Sequence, residues 1–564
     1  MTYILGITGP VSYNQAAVLL RDGEIVAASE EERFSRIKHH RMTPPFQAIS
    51  SCLKKEGISQ SDIESVAVGW GSKDYWRKKI IKLTIKKPFM AFNAPQYMRD
   101  FARYSLLEDK LPREKMVFYP HHLSHMACAY LSSGMKKSNI ISLDEVGETQ
   151  STVLGIGKGD EIEILKEYDY IHSLGRLYRQ FTEYLGFLGN SDEYKVMGLS
   201  AYGTPKTNQN HLYKLDGRGY SLGTNHFYLS LIKSTLKKTL KILEIHSGNM
   251  DLEDYLAYGP ARKPAQEITP KHKDIAATAQ EIYEKILLHI SALLHQQTGY
   301  KNFCIAGGCG LNCLANGKLL RQDYTENLFV PPVASDAGSA LGAALLEHSK
   351  YNKKKSILGD VGLGPAYTEE DIELELSKTG FKYERHDDVS AESASLLAKN
   401  RIIGWFQGGM EFGPRALGHR SILANPTFKD TKDRVNRIKN REMWRPLAPS
   451  IASKHIKDFF EIQHYNEYMT VTQEVKYTMR DKIPSVVHAD GSARYQSVGK
   501  DRSIYYDLIT QFQKMSGVPV VLNTSLNKRG EPIVDTPHQA LSVFSESKLD
   551  ALVLGNYVVY KNDA

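Results

Sequence analysis

The sequence predicts an α/β protein of two domains, and three observations lead to that prediction. The chain has 564 residues, far more than one ordinary domain of roughly 150 residues needs. A series of strand-like segments at the start of the chain returns in the same order further along. After residue 348 a polar and basic stretch, punctuated by glycine, interrupts the apolar periodicity. We therefore expect one domain at residues 1–355 and a second α/β domain at residues 356–564.

The first domain opens with three short strands. Residues 3–7, 16–20 and 24–28 are apolar runs, and Arg21-Asp22-Gly23 forms a turn between the last two. The same order of strand, glycine-containing turn and strand returns at residues 139–166, with helices and further strands after it. This repetition predicts a duplicated α/β unit of the actin-like ATPase (ASKHA) type.

Later elements of this domain follow from periodicity. Apolar residues recur every three or four positions across residues 273–297, which predicts a long amphipathic helix. Residues 302–316 then read as a strand, a glycine-rich turn and the start of a helix, and residues 327–348 read as another strand, loop and helix. The second domain begins with a helix at residues 369–378 and a strand at residues 381–384.

Composition excludes several classes of protein. The net charge of +8 is modest for this length, and we interpret the basic segment at residues 76–87 as a solvated helix face. The five cysteines lack the paired spacing of a zinc ribbon or a disulfide framework, so we expect buried thiols. The chain has neither a signal-peptide pattern at its start nor a run of about 18 apolar residues, so we expect a cytoplasmic protein.

Two histidines and two aspartates are candidate metal ligands. His121 and His125 lie four residues apart at the start of a predicted helix, so both imidazoles project from one face. Asp144 ends an apolar strand, and Asp336 precedes a helix. Together they offer the ligands of an N2O2 site, although a histidine pair at this spacing is also common in an ordinary core or surface.

A glycine-rich loop at residues 306–312 is a candidate phosphate or adenosine site. Gly307 and Gly308 would let a ligand approach the backbone, and Asn312 lies where helix amides become available. Lys195 is a further candidate phosphate partner. The alternatives are that the glycine-rich loop is a purely structural turn and that Lys195 is an ordinary surface lysine.

The densest set of candidate residues lies in the second domain. Its arginines and lysine are interleaved with glycine, proline and apolar residues rather than with acids, and an NTSLN segment follows. Guanidinium forks and an ammonium group bind phosphates, so we predict an anion site here. The candidate residues are Arg415, Arg420, Lys439, Arg441, Arg445, Arg494, Asn523, Ser525 and Asn527.

Many short segments in collinear order resemble the O-carbamoyltransferases of the NodU and tobramycin carbamoyltransferase family. They are ILGITG, EEERFSRIKHH, HHLSH, GETQ, KVMGLSAYG, AGGCGLNCLANGK, SDAGSALGAAL, MEFGPRALGHRSILANP, IKNREMWRPLAPS and VLNTSLN. The resemblance implies an actin-like first domain, similar to the threonylcarbamoyl-transferring subunit of tRNA modification. It implies a YrdC-like second domain.

The resemblance also implies a reaction. The second domain would turn carbamoyl phosphate and ATP, with Mg²⁺, into carbamoyl-adenylate and pyrophosphate. The first domain would pass the carbamoyl group to a hydroxyl of a small molecule, as in antibiotic biosynthesis. One divalent metal, expected to be Fe(II), maps onto His121, His125, Asp144 and Asp336. The K-x-R signature maps onto Lys439 and Arg441, which are thereby expected to be catalytic, and the S-x-N signature onto Ser525 and Asn527.

The chain departs from the family pattern at three places. The family's early His-Asp pair is Tyr13-Asn14, its Asp-Gly turn is Asp144-Glu145, and its Gly-Arg-Met-Glu is the segment 408–411. We predict that Tyr13 and Asn14 line the acceptor pocket and have catalytic roles, although Tyr13 could instead only pack in the first turn. Without a histidine at that position, another base must take the proton from the acceptor hydroxyl, or the acceptor must be nucleophilic enough to react with little help.

Several alternatives stay open. His122 and Glu148 are candidates for the missing base. The acceptor could be an amine, or the chain could be a tRNA-modification or nucleic-acid-binding protein, whose RNA affinity would fall steeply with salt. We expect carbamoyl phosphate and a small-molecule acceptor as partners, with no membrane and no nucleic acid, and a homodimer is compatible with the sequence.

Overall fold

The computed structural model describes residues 1–40, 43–86, 94–206, 211–223, 258–351 and 356–561. Within these ranges it contains three large mixed sheets, two of five strands and one of eight, with helices packed on them. The predicted α/β class is confirmed. The predicted domain boundary at 355/356 falls beside residues 352–355, which lie outside the described residues.

The first sheet begins with three antiparallel strands and continues with two parallel ones. Its order is β3-β2-β1-β4-β5, with β1 parallel to β4 and β4 parallel to β5. Its strands are β1 (Tyr3–Thr8), β2 (Ala16–Arg21), β3 (Glu24–Glu30), β4 (Ile63–Gly69) and β5 (Met116–Phe118). Its helices are α1 (Glu32–Ser35), α2 (Phe46–Glu56), α3 (Lys73–Lys86) and α4 (Ala94–Glu108).

The second sheet repeats this arrangement. Three antiparallel strands are again followed by two parallel ones, in the order β8-β7-β6-β11-β12. Its strands are β6 (Lys137–Leu143), β7 (Gln150–Lys158), β8 (Glu161–Asp169), β11 (Asn302–Ala306) and β12 (Asn327–Phe329), and a separate hairpin comprises β9 (Tyr213–Asp216) and β10 (Gly219–Leu222). The predicted duplication is confirmed by this topology.

Six α-helices follow β5 among the described residues of the N-terminal part. They are α5 (His121–Leu131), α6 (Leu174–Tyr184), α7 (Glu193–Ser200), α8 (Pro270–Thr298), α9 (Cys313–Leu320) and α10 (Ala337–Tyr351). The predicted long helix is α8, which begins after the capping residue Thr269 and ends at Gly299. Helices α5 and α10 pack very closely, because a Cβ atom at Gly342 would lie 1.7 Å from the Ser124 carbonyl oxygen. This contact fixes the helix that carries His121 and His125.

The remaining sheet belongs to the C-terminal part of the chain. Its order is β13-β22-β21-β14-β15-β20-β16-β19, and apolar clusters cover it. The strands are β13 (Lys382–Arg385), β14 (Ile403–Phe406), β15 (Arg420–Ala424), β16 (Ala448–Ala452), β19 (Gln496–Val498), β20 (Val520–Ser525), β21 (Ala551–Leu554) and β22 (Tyr557–Tyr560), and a separate ladder comprises β17 (Gln473–Glu474) and β18 (Ser492–Ala493). The helices are α11 (Glu369–Ser377), α12 (Val389–Ala398), α13 (Thr431–Ile438), α14 (Ile456–Phe459), α15 (Tyr477–Arg480), α16 (Ser503–Ser516) and α17 (Pro537–Glu546).

A buried ionic cluster joins the N-terminal and C-terminal parts. Arg33 is 1% exposed, pairs with Glu30 and Glu32, and donates a 2.7 Å hydrogen bond to the Gly413 carbonyl. Arg36 donates to the carbonyls of residues 532 and 533, both at 2.8 Å. The segment EEERFSR therefore links the first sheet to two loops of the C-terminal part.

Other sequence expectations have mixed outcomes. The five cysteines are free thiols, and four of them are buried. Helix α3 covers most of the basic segment at residues 76–87. Lys87, the last residue of that segment, lies outside the described residues. Within the described ranges we find no helix with the length and apolar character needed to cross a bilayer.

Candidate active site

Four side chains converge at the start of α5, beside the ends of β4 and β6. His121 and His125 lie on successive turns of α5, Asp144 follows the end of β6, and Asp336 immediately precedes α10. The Nε2 atoms of the two histidines are 3.0 Å apart, and His125 Nε2 is 2.9 Å from Asp144 Oδ2. Asp336 Oδ1 lies 3.7 and 3.8 Å from the two Nε2 atoms. The structure thus brings all four predicted ligands together, within 4.8 Å of one another.

The surrounding main chain orients these ligands. His121 Nδ1 lies 3.3 Å from the Gly69 carbonyl at the end of β4, so Nε2 faces the cluster. Asp144 Oδ1 accepts a 2.6 Å bond from the Glu145 amide, and Asp336 Oδ2 accepts a 2.7 Å bond from the Tyr13 amide. Hydrogen bonds of this kind fix which ligand atom is presented to a metal.

The electrostatics of the cluster fit a divalent cation. Burial lowers the pKa of His121 but the carboxylates of Asp144 and Asp336 raise it to a net value of about 9. Burial and the charge of Asp144 raise the pKa of Asp336. The raised pKa values of His121 and Asp336 favour protons at these two groups, and a divalent cation with nitrogen and oxygen ligands would take the place of those protons. The ligand types alone do not select one metal.

His122 and Glu148, the two candidate bases, make other contacts. His122 Nδ1 is 2.8 Å from Ser142 Oγ, and burial together with the charges of His121 and His125 lowers the pKa of His122 to about 3. Glu148 Oε1 accepts hydrogen bonds from the amides of Gly71 at 2.8 Å and His121 at 2.9 Å. Glu148 therefore caps the start of α5, which is a structural role.

The loop after β1 borders the metal-ligand cluster. The Tyr13 amide holds Asp336, and the Tyr13 hydroxyl accepts a 2.8 Å bond from Asn190. Asn14 Nδ2 lies 3.1 Å from Nδ1 of His39. Sequence reasoning missed His39 as a site residue, although the EEERFSRIKHH segment that contains it was one of the motifs that carried the family resemblance.

The glycine-rich loop lies beside the metal-ligand cluster. Strands β6 and β11 are parallel neighbours, so Asp144 and Gly307 follow their strands at the same sheet edge. Gly307 has φ +83°, and a Cβ atom there would lie 2.0 Å from the Leu143 carbonyl oxygen. A Cβ at Gly308 would lie 3.5 Å from Asp144 Oδ1. Asn312 caps α9 and exchanges two 2.9 Å bonds with Gln280, which gives it a structural role.

Four arginines of the C-terminal part form a second cluster. Burial and the charge of Arg494 lower the pKa of Arg415, and burial and the charge of Arg445 lower that of Arg441. Arg415 Nε, Arg441 Nη2 and Arg494 Nε are buried without a hydrogen-bond partner among the described residues. Clustered guanidinium groups with unsatisfied N–H donors are a site for an anion.

Lys439 lies against the S-x-N segment. Its Nζ donates to the Ser525 carbonyl, to Ser525 Oγ at 3.2 Å and to Asn527 Oδ1 at 2.8 Å. Lys439 is 6% exposed, and burial followed by the charges of Arg441 and Arg445 lowers its pKa well below the usual value. The structure thus joins the two predicted signatures in one place.

Arg420 and Asn523 take structural positions instead. Arg420 is fully buried, donates to the carbonyls of Gln407 at 2.7 Å and Gly408 at 3.0 Å, and lies 3.5 Å over the Phe406 ring. Asn523 donates to the Ala416 carbonyl at 3.1 Å. Both side chains bond to the main chain around the loop that carries Arg415, through the Nη groups of Arg420 and the Nδ2 group of Asn523. Arg420 Nε has no hydrogen-bond partner among the described residues.

Helix α7 connects the two clusters. Asn190, just before it, binds Tyr13 at the metal side. In its first turn, the Tyr194 ring lies 4.6 Å from the Arg445 guanidinium, and Lys195 pairs with Asp192 at 2.8 Å and lies 3.8 Å from Glu442. Lys195 therefore faces the arginine cluster but already has carboxylate partners.

Comparisons with known proteins identify relatives of this chain. Two family models match, one described as carbamoyltransferase N-terminus over residues 3–345 and one as carbamoyltransferase C-terminus over residues 394–561. The chain is 36% identical to the nodulation protein NolNO of Sinorhizobium fredii, over 99% of this chain and 81% of that protein. It is 27% identical to the nodulation protein U of the same species, over 92% and 93%. The crystal structure of component A of (R)-2-hydroxyglutaryl-CoA dehydratase from Acidaminococcus fermentans matches 62% of this chain and 99% of that chain, with 16% identity and a TM-score of 0.34.

Proposed function

The chain belongs to the carbamoyltransferase family, and from that premise we propose that it activates carbamoyl phosphate with ATP and transfers the carbamoyl group to a hydroxyl of a small molecule. The proposal includes the two domains predicted from the sequence, with the YrdC-like part at residues 356–564 activating the carbamoyl group and residues 1–355 transferring it. It also includes Mg²⁺ with ATP, Fe(II) as the resident metal and a role in natural-product biosynthesis.

Activation needs positive charge around several phosphates. Water first hydrolyses carbamoyl phosphate to carbamate and inorganic phosphate, and a carbamate oxygen then attacks the α-phosphorus of ATP. A new P–O bond forms, the bond to the β-phosphate oxygen breaks, and pyrophosphate leaves with the electron pair. Lys439, Arg441, Arg445 and Arg494 would stabilise the negative charge that develops on these groups.

Transfer needs an activated carbonyl and a place for the acceptor. The acceptor oxygen attacks the carbamoyl carbon of carbamoyl-adenylate, AMP leaves, and the hydroxyl proton is lost. A divalent cation held by His121, His125, Asp144 and Asp336 would supply a Lewis acid for this step. Tyr13 and Asn14 border that site, so we place the acceptor against their loop.

One observation carries this proposal. At one end of residues 190–195 Asn190 bonds to Tyr13, whose amide binds the candidate metal ligand Asp336, and at the other end the Tyr194 ring lies 4.6 Å from the Arg445 guanidinium of the arginine cluster. Carbamoyl-adenylate is labile in water, so an enzyme that makes it in one place and uses it in another needs the two sites close together. The closeness of the two clusters favours a single two-step reaction over two unrelated activities in one chain.

The test is pyrophosphate release by the full chain. With ATP and carbamoyl phosphate and no acceptor, the wild type should release pyrophosphate. Lys439→Ala should slow the release by about 100-fold or more, as expected when a charge-stabilising group is lost. Lys454→Ala, which changes an exposed lysine of the same part of the chain, should leave the rate unchanged. Equal rates in Lys439→Ala and the wild type would refute the assignment.

A further inference from the structure

Helix α3 has apolar residues on two opposite sides. Trp76 is 4% exposed and Ile80 packs beside it, so this side faces the protein. Ile81 and Ile85 lie one turn apart and are 53% and 75% exposed. With about 3.6 residues per turn, they lie roughly 140° and 180° around the helix from Trp76. The outer side of a surface helix is ordinarily polar, so packing within the chain does not account for these two side chains.

The inner side of α3 fixes the orientation of the outer side. The Trp76 ring packs against the rings of Trp70 and Phe101, with centroids 5.6 and 5.2 Å away. Its Nε1 donates a 3.1 Å hydrogen bond to the Glu148 carbonyl. Because the Glu148 carboxylate caps α5, the helix that carries two candidate metal ligands, α3 is attached to the scaffold of the metal-ligand cluster. The exposed isoleucines therefore point away from the protein in a fixed direction.

The outer side of α3 is also positively charged. Among the α3 side chains that the structure describes, the exposed basic ones are Lys73, Arg77, Lys78 and Lys82, and the exposed acidic one is Asp74. Asp74 Oδ1 lies 3.1 Å from Arg77 Nη2 and neutralises that charge. Lys78 and Lys82 each precede an exposed isoleucine by three residues, so each lysine neighbours one of them on the helix surface. A partner of this face therefore has to accept apolar groups and cations side by side.

We propose that the outer side of α3 binds the surface of a bilayer that contains anionic phospholipids. Ile81 and Ile85 enter the headgroup region, and Lys78 and Lys82 contact lipid phosphates, because a lysine can lay its methylene stem on apolar surface while its ammonium group reaches an anion. The helix lies along the bilayer in this arrangement and does not cross it. The proposal departs from the expectation of a solvated face and no membrane, because the sequence does not show which isoleucines are exposed.

Co-sedimentation of the full chain with lipid vesicles tests this inference. The wild type should bind vesicles of phosphatidylcholine and phosphatidylglycerol mixed at about 2:1, bind phosphatidylcholine vesicles far less, and detach from the mixed vesicles as salt rises. The double variant Ile81→Ser/Ile85→Ser should bind the mixed vesicles about 10-fold or more weakly. Lys78→Gln/Lys82→Gln should bind them about 5-fold or more weakly. Leu374→Ser is the matched control, because Leu374 is 58% exposed on α11, whose first turn is acidic, and it should bind as the wild type does.

Four vesicle results would overturn the inference. They are a wild type that does not bind mixed vesicles, equal binding to both kinds of vesicle, wild-type binding by either double variant, and the same loss in Leu374→Ser. Two further results would assign the face to another partner and also overturn it. Wild type that binds immobilised polyglutamate but not vesicles would indicate an acidic protein, and a dimer that Ile81→Ser/Ile85→Ser makes monomeric would indicate a second copy of the chain.

The inference does not rest on the proposed function. Without vesicles, Ile81→Ser/Ile85→Ser should release pyrophosphate at the wild-type rate, because these side chains lie outside both clusters. A wild type that binds mixed vesicles but releases no pyrophosphate would refute only the proposed function. Thermal melting of each variant checks that the chain is folded.

Discussion

The neighbours of each side chain decide what that side chain can do, and Arg415 and Arg420 illustrate this. They come from one short segment, yet Arg415 faces other guanidinium groups while Arg420 donates to main-chain carbonyls. The Nε groups of both arginines lack a partner among the described residues, so the difference lies in the Nη groups, which in Arg420 donate to the protein and stabilise the fold. Asn312 is likewise used on the protein, because it exchanges two hydrogen bonds with Gln280.

At the residue scale, His125→Ala should remove the metal. His125 Nε2 is the ligand atom closest to Asp144, so its loss leaves one imidazole and two carboxylates. Metal content measured by elemental analysis after loading with Fe(II) without oxygen should fall from about one equivalent to near zero. The affinity should fall by more than the roughly 10- to 100-fold typical of outer hydrogen-bond partners.

His122→Ala is the control for this prediction. His122 is a neighbour in the same helix, but its Nδ1 lies 2.8 Å from Ser142 Oγ and it is not one of the four residues whose ligand atoms converge. It should keep about one equivalent of metal. Full metal occupancy in His125→Ala would contradict the assignment of this cluster.

At the scale of elements, the site depends on how two parallel strands end. Strand β6 delivers Asp144 and strand β11 delivers the glycine-rich loop to one edge, since parallel strands have their carboxyl ends on the same side. The loop can pass that close to β6 only because Gly307 has no side chain. The glycine-rich turn after β11 therefore helps to set the position of Asp144, the candidate metal ligand that follows β6.

Gly307→Ala should destabilise the protein more than Gly299→Ala does. Both glycines have positive φ, at +83° and +71°, so both changes impose backbone strain of about 1–3 kcal/mol. Only at Gly307 would the new Cβ collide with the Leu143 carbonyl, because a Cβ at Gly299 meets nothing within 4 Å. Urea unfolding of both variants measures the difference.

The same pair of variants also tests the link to the site. Gly307→Ala should weaken metal binding, since it displaces the strand end that precedes Asp144, and Gly299→Ala should not. Equal unfolding free energies in the two variants would show that the loop relaxes without strain.

At the scale of the whole molecule, the ionic cluster around Arg33 holds the two halves in a fixed relation. Glu30 accepts from Arg33 and also from the Gly413 amide at 3.2 Å. Both carboxylate and guanidinium are buried, so removal of one charge leaves the other without compensation. The cluster therefore couples the first sheet to the loop that leads to Arg415.

Arg33→Met should lower the stability of the whole chain by about 3–5 kcal/mol, the usual cost of breaking a buried ion pair. Differential scanning calorimetry should show a lower midpoint than the wild type. Arg33→Lys should not have the wild-type midpoint either, because an ammonium group cannot reach three acceptors with the geometry of a guanidinium fork. Arg113→Ala, at an exposed pair with Asp109, is the control and should change the midpoint little. A wild-type midpoint in Arg33→Met would contradict this coupling.

Local patterns in the sequence were sufficient for much of the fold. The repeated opening strands, the long helix after Thr269 and the first helix of the C-terminal part follow from periodicity and turn residues, which act over a few positions. Four ligand candidates could be named because their types and spacing are local too, and the structure places them together. That they bind a metal stays a prediction.

Tertiary structure alone decided which side chains meet across long separations in the chain. No local pattern predicts that His39 lies against Asn14, that Lys38 and Arg445 approach Tyr194, or that Arg420 leaves the arginine cluster. These contacts depend on how the sheets and the C-terminal part pack, and packing sums many weak interactions over the whole chain. The sequence therefore determined the family, the repeated fold and the chemistry available, and the packing determined which of those groups are free to act.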